Sequence, residues 1–231
     1  MIFDPLYLIL MLPAMLIAIY AQIRVKGAVG KWSRVGTMSG MTGALAARRI
    51  LDGAGLHNVT VEQTSGWLSD HYDPRSHTLR LSPEIYNTPS VAAVGIAAHE
   101  AGHALQHAQG YTPLKFRNAI VPTAQLGSWL AFPLILIGMI FAMKGLALAG
   151  LLLFSAIVAF QIITLPVEFN ASGRAKQLVF DMGIVQSADE AAGVSSVLNA
   201  AAMTYVAATI SALVQLLYFA LRLGLLGGRD D

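Results

Sequence analysis

Four long apolar stretches dominate what this chain can become. Residues 5–23, 126–143, 146–165 and 206–226 each approach the ~20 apolar residues that a helix needs to cross a bilayer core. Backbone in hydrocarbon must satisfy its own hydrogen bonds, so stretches of this kind form helices. Pro13 predicts a kink in the first, and Gln215 and Arg222 interrupt the last. Composition agrees. Of 231 residues, 55% are hydrophobic and 12% charged, against about 25% charged in soluble domains. A chain so poor in charge cannot cover a water-facing surface, and a membrane protein is expected. The start, MIFDP, has no basic residue, and Arg24 and Lys26 come after the apolar run. That order predicts an uncleaved anchor rather than a signal peptide.

Sidedness follows from the basic residues. Ten lie between the first and second stretches, and Arg174 and Lys176 lie between the third and fourth, making twelve of the fifteen Lys and Arg. The positive-inside rule makes that face cytoplasmic and puts the amino terminus and the tail GGRDD outside. The second and third stretches form a tight hairpin turning at Lys144 and Gly145. Segments 24–125 and 166–203 therefore share one face. There is no cysteine, which excludes a disulfide framework and any cysteine-based zinc site or nucleophile. The net charge of +2, with no long basic run, gives no reason to expect a nucleic-acid partner.

Between the stretches, 36–57 reads as a helix capped by Ser39 and stopped by Gly53 or Gly55. Alternation in 58–64 and 77–82, around the turn-rich SDHYDPR, predicts a small hairpin or meander. Ser82 and Pro83 open a short helix that Glu84 helps to cap. Thr88, Pro89 and Ser90 start a longer helix that stops at Gly110. SADE at 187–190 is a capping box for a helix running into the last stretch.

The longer helix carries IAAHEAGHALQH, in which His99, Glu100 and His103 form H-E-x-x-H. Helical residues four apart are offset by about 40° and rise about 6 Å, so both imidazoles can face one Zn²⁺. Zinc brings the pKa of a bound water toward about 7. Glu100, about 100° round from His99, can take its proton without being a ligand. The plain alternative is a small-residue packing helix whose histidines satisfy each other. Two imidazoles and an acid on one arc are costly to bury without a metal or charged partners. His107 extends the same face, but lies too far along one straight helix to close a tetrahedron easily. The histidine ten positions after the first, found in a longer zinc motif, is here Gln109.

A catalytic zinc takes three protein ligands and keeps one position open. Glu168, just past the third stretch in LPVEFNASGRAKQL, is the best third candidate. The hairpin returns it to the face of the histidines, and a charge beside a long apolar run is expensive unless used. Glu84 and Glu190 are occupied in capping, and Glu62 lies on the polar side of a strand. Asn170, Ser172 and Asp181 are candidates to accept the second ring nitrogens of the ligands. Arg174, Tyr111, Tyr205 and His107 are candidates for supporting the site or its oxyanion.

HEAGHALQHAQGY, LPVEF with ASGRA, and NAAAMTYVAA, in this order, resemble the YugP-type neutral zinc metallopeptidases of bacterial membranes. The resemblance covers nearly the whole chain. The arrangement is also similar to that of HtpX-type membrane proteases, with a glutamate ligand beyond a later span. It implies one zinc ion on His99, His103 and Glu168, with Glu100 catalytic. The chain departs from the pattern at Asn170, where an acid is common, and at Gly173, where an arginine is.

The expected protein is mainly α and membrane-embedded, with about four transmembrane helices and a cytoplasmic zincin-like α+β unit containing a small β element. Its parts are an anchor (1–23), a catalytic region (24–125), a transmembrane hairpin (126–165), a cytoplasmic segment with the third ligand (166–203), and a last helix with tail (204–231). The expected activity is peptide hydrolysis on a peptide or membrane-protein substrate at the bacterial cell membrane. Two other readings stand beside it. One is a non-catalytic scaffold or chaperone with a structural zinc. The other is a site-2-type intramembrane protease, for which the LDG at 51–53 precedes the histidines rather than following them.

Overall fold

The structure is a computed structural model that describes residues 4–226, so the tail GGRDD lies outside the described residues. In chain order the elements are α1 (Pro5–Trp32), α2 (Gly43–Gly53), β1 (Thr60–Gln63), β2 (His71–Asp73), β3 (Thr78–Leu81), α3 (Pro83–Asn87), α4 (Val91–Ala108), α5 (Thr112–Ile140), α6 (Lys144–Asp181) and α7 (Ala188–Arg222). The chain is mainly helical with one small sheet. Helices α1, α5, α6 and α7 are long and apolar enough to cross a membrane. They outrun the apolar stretches. At about 1.5 Å per residue, the 38 residues of α6 extend about 57 Å against a hydrocarbon core of ~30 Å.

The chain divides into two compact units. The first takes residues up to Tyr20, Lys115–Pro166, and the chain from Thr204 onward. Here α5 ends at Ile140, Ala142 takes φ +54°, and Met143 donates its N–H to Gly138 O at 2.8 Å. The reversal thus falls on 141–143 rather than on Lys144 and Gly145, because Lys144 already opens α6. Small residues let the two helices touch. A Cβ at Gly127 would stand 2.7 Å from Leu153 O, and one at Gly150 would stand 2.8 Å from Ala131 O. Each polar interruption of α7 meets a partner, although Gln215 Nε2 is buried with none among the described residues. Gln215 Oε1 accepts from Tyr7 Oη at 3.4 Å, and Arg222 Nε lies 3.4 Å from Asp4 Oδ2, which also accepts from Tyr218 Oη at 2.9 Å.

The second unit joins Ala21–Leu114 to Val167–Met203. Helix α2 starts later than its sequence suggests. Thr42, not Ser39, is the N-cap, accepting from Leu45 N at 3.3 Å, while Ser39 Oγ donates to Ile184 O at 2.7 Å. The stop is as expected, with Gly55 at φ +73°.

The sheet has the order β1-β3-β2. The two expected strands, β1 and β3, pair in parallel, Val61 opposite Leu79, so they form neither a hairpin nor a meander; the antiparallel partner of β3 is β2. The turn-rich SDHYDPR itself supplies β2. Helix α4 is capped by Ser90, whose Oγ accepts from Ala93 N at 3.2 Å. Its small apolar face, Val94, Ala97, Ala98 and Ala101, packs in one core with Ile50 and Leu51 of α2 and Leu79 and Leu81 of β3. The capping box of α7 is formed. Ser187 Oγ accepts from Glu190 N at 3.2 Å, and Glu190 Oε2 accepts from Ser187 N at 3.1 Å.

Candidate metal centre

His99 and His103 occupy successive turns of α4 with ring centroids 4.7 Å apart and planes at 85°. Glu168 reaches them from α6, its Oε2 lying 3.2 Å from His99 Nε2 and 3.6 Å from His103 Nε2. These three side chains could hold a metal ion, since their donor atoms lie within 4.8 Å of one another. Two donors each about 2.0–2.1 Å from a tetrahedral ion stand roughly 3.3 Å apart. The His–Glu spacings bracket that value, as donors sharing one such ion would.

Packing explains the convergence. Gly102 leaves room for α6, and Glu168 stands about one helical turn before the contacted Ala171. Helix α6 continues through Pro166 without a break, so the expected span and the segment bearing Glu168 are one helix.

The remaining ring nitrogens are engaged. His99 Nδ1 lies 3.1 Å from Ser172 Oγ, and His103 Nδ1 lies 3.0 Å from Gln106 Oε1. Gln106 is fully buried, and its Nε2 donates to Val167 O and to Asn170 Oδ1, both at 2.9 Å. Both amide hydrogens being spent, Oε1 is the acceptor. His103 therefore carries its proton on Nδ1 when neutral and turns a free Nε2 lone pair toward Glu168. Asn170 Oδ1 also accepts from Arg174 Nε at 2.8 Å, and Arg174 Nη1 donates to Gln109 Oε1 at 2.6 Å.

The site's field favours a cation. Burial pulls the His103 ring down, but its hydrogen bond to Glu168 and the charges of Glu100 and Glu168 outweigh this and hold it above its ordinary value. The same pull acts on a divalent ion. Glu100 is buried beside the histidines. Asp70, just before β2, accepts from Ser82 N at 2.8 Å and from Ser82 Oγ at 3.1 Å. Burial pushes the Asp70 carboxyl up. The Ser82 hydrogen bonds oppose the rise, and the nearby Glu100 charge adds to it.

Among residues singled out from sequence, Ser172 meets His99 directly, and Asn170 acts through Gln106. Arg174 is bound to Asn170 and Gln109. His107 turns elsewhere, with Nδ1 3.0 Å from Tyr72 Oη and its ring 5.3 Å from that of His77. Asp181 is exposed at the end of α6. Tyr111 follows the Gly110 stop, its N–H donating to Gln106 O at 2.9 Å. Tyr205 belongs to α7 in the first unit. Sequence reasoning missed Gln106 and Asp70. The signal for Gln106 was present: a polar residue three positions after a candidate ligand, in a helix that is small and apolar apart from its histidines and Glu100.

Four span-length helices among the described residues, and a His–His–Glu donor set with His103 and Glu168 buried, define a membrane protein with a candidate zinc centre. The family described as "Putative neutral zinc metallopeptidase" matches residues 7–224, and the chain belongs to it. It is 46% identical over 226 residues to the "Putative membrane protease YugP" of Bacillus subtilis (strain 168), covering 98% of this chain and 99% of that one. No solved structure matches the chain.

Proposed function

We propose that the protein is a membrane-embedded, zinc-dependent endopeptidase of the bacterial cell membrane, with its site on the cytoplasmic face. The convergence of three donor atoms from two helices, beside a further buried carboxylate, carries this function. His99, His103 and Glu168 would hold the ion. When bound, it polarises the scissile carbonyl and acidifies water. Glu100 takes the proton of the attacking water and passes it to the leaving amine as the C–N bond breaks. Gln106 and Ser172 hold the two imidazoles in place. An extended peptide docks by strand addition. Of the two sheet edges, β2 is the one preceded by Asp70, which feels the Glu100 charge. The substrate is a peptide segment, including one belonging to a membrane protein.

Intramembrane cleavage is disfavoured, because α4 is packed inside the second unit and is not one of the span-length helices. The test is Glu100→Gln in full-length protein. Zinc content should remain at one ion while peptide cleavage falls by about 10²-fold or more. Undiminished cleavage by that variant would remove Glu100 from the mechanism. A zinc-free wild type after supplementation would remove the function.

A further inference from the structure

A cavity of about 380 Å³ opens in the second unit, lined by Val29 and Gly30 of α1, Trp67 and Leu68 of the loop before β2, Ile85 of α3, and Ser82. We propose that this cavity is the specificity subsite for one large apolar side chain of the bound peptide, an assignment that rests on the peptidase function above.

Its volume falls in the range of about 300–1,000 Å³ typical of ligand pockets, ample for a leucine or phenylalanine side chain. Val29 and Ile85, both buried, give it an apolar side, next to the polar Ser82, Ser90 and Glu84. Trp67 is 60% exposed, which leaves a large indole in water beside the opening. The loop that carries Trp67 is held in a costly shape. Leu68 has φ +51° and Gly66 has φ +108°. A leucine rarely takes the left-handed region, and such strain gathers where a surface must be pre-shaped. Ser69 Oγ pins the loop by donating to Ser65 O at 3.0 Å and Gly66 O at 3.1 Å.

Position links the cavity to the chemistry. Leu68 leads within three residues into β2, so a peptide paired along that edge runs toward the opening. Ser82 lines the cavity and also donates to Asp70, the residue whose carboxyl feels Glu100. The rival occupant is a lipid acyl chain, since the cavity-lining Lys26 follows the apolar stretch 5–23 by only three positions.

Gly30 offers the test. A Cβ there meets nothing within 4 Å, so Gly30→Leu can be accommodated while filling the cavity. Full-length, zinc-loaded protein in detergent micelles would be assayed on fluorogenic peptides that vary one position at a time among Leu, Phe, Ala and Asp. Wild type should prefer Leu or Phe over Asp at one position by about 10-fold or more in kcat/KM. Gly30→Leu should abolish that preference mainly through KM, with zinc content unchanged. If Gly30→Leu fails to fold, Trp67→Ala at the exposed mouth should weaken the same preference. Preference intact in a folded variant overturns the subsite. So does a loss shared by all peptides and dependent on added phospholipid, which would assign the cavity to lipid. Wild type that cleaves without apolar preference also removes the subsite alone. Zinc-loaded wild type that cleaves no peptide removes the peptidase function itself.

Discussion

Gly102 on α4 and Ala171 on α6 approach so closely that a Cβ on the glycine would stand 2.9 Å from the alanine carbonyl oxygen. Gly102 precedes His103 directly, and Ala171 follows Glu168 by three positions, so this contact sets the spacing of donors across the two helices. Gly102→Ala should push the helices apart at an overpacking cost of about 1–3 kcal/mol. Zinc affinity, measured by chelator competition, should fall by about 10-fold or more. Affinity equal to wild type would detach the contact from the metal centre.

Gln106 fixes the tautomer of His103 with one end and ties α4 to α6 with the other. Gln106→Leu keeps the volume roughly but strands His103 Nδ1 and cuts the tie to Val167 O and Asn170 Oδ1. Zinc affinity should drop by about 10–100-fold. Gln106→Glu restores an acceptor and should recover part of the loss in a competition titration.

His99 and Glu168 are 69 positions apart in the chain, so an ion shared between them is a cross-link. Free zinc at about 100 times its Kd should stabilise the fold by about 2.7 kcal/mol. Adding a chelator should lower the Tm of wild type in detergent and leave that of Glu168→Ala unmoved. Equal sensitivity in both would place the stabilising ion elsewhere.

Asp73, at the end of β2, accepts from Arg75 N at 2.9 Å and Ser76 Oγ at 2.8 Å. These bonds, with help from Arg80, lower its carboxyl from an ordinary 3.8 to about 2. A depressed acid stabilises the fold above its unfolded value and loses that contribution as pH falls through the folded one. The stability gap between wild type and Asp73→Asn should therefore be full at pH 5 and narrow from about pH 3.8 toward pH 2. Thermal melts at both ends check it.

Sidedness is testable because the chain has no cysteine. Single cysteines at Ser76, in the turn after β2, and at Gly173, exposed on α6, should react with an impermeant label from the same side. Gly173 suits this better than Ser172, which is buried against His99. Opposite labelling would contradict the placement of both segments in one unit.

Much of the site was legible because helical spacing is rigid: residues 99 and 103 must share an arc, and a hairpin must bring the chain back toward Glu168. What escaped reading depends on contacts across space. Gln106 looked like one more helical polar residue, and only burial against Val167 and Asn170 makes it an orienting group. Arg174 read as a candidate oxyanion support, with no sign in the sequence that Asn170 and Gln109 would hold it. Strand β2, His-Tyr-Asp before a proline, has no apolar alternation to announce it. The parallel pairing of β1 with β3 leaves no local trace, since each strand alternates the same way in either direction. Ser39 and Thr42 are both good caps by chemistry, and a carbonyl of distant Ile184 decides which is used.

The second unit is made from two stretches with the 115–166 insertion between them. Ribosomal order has a consequence here. The histidines emerge first, then the apolar hairpin, and Glu168 last. A nascent chain halted before the hairpin holds two-thirds of a donor set and nothing to finish it. The cluster comes together only after its own bilayer-seeking segments have been synthesised, a form of self-restraint written in chain order alone.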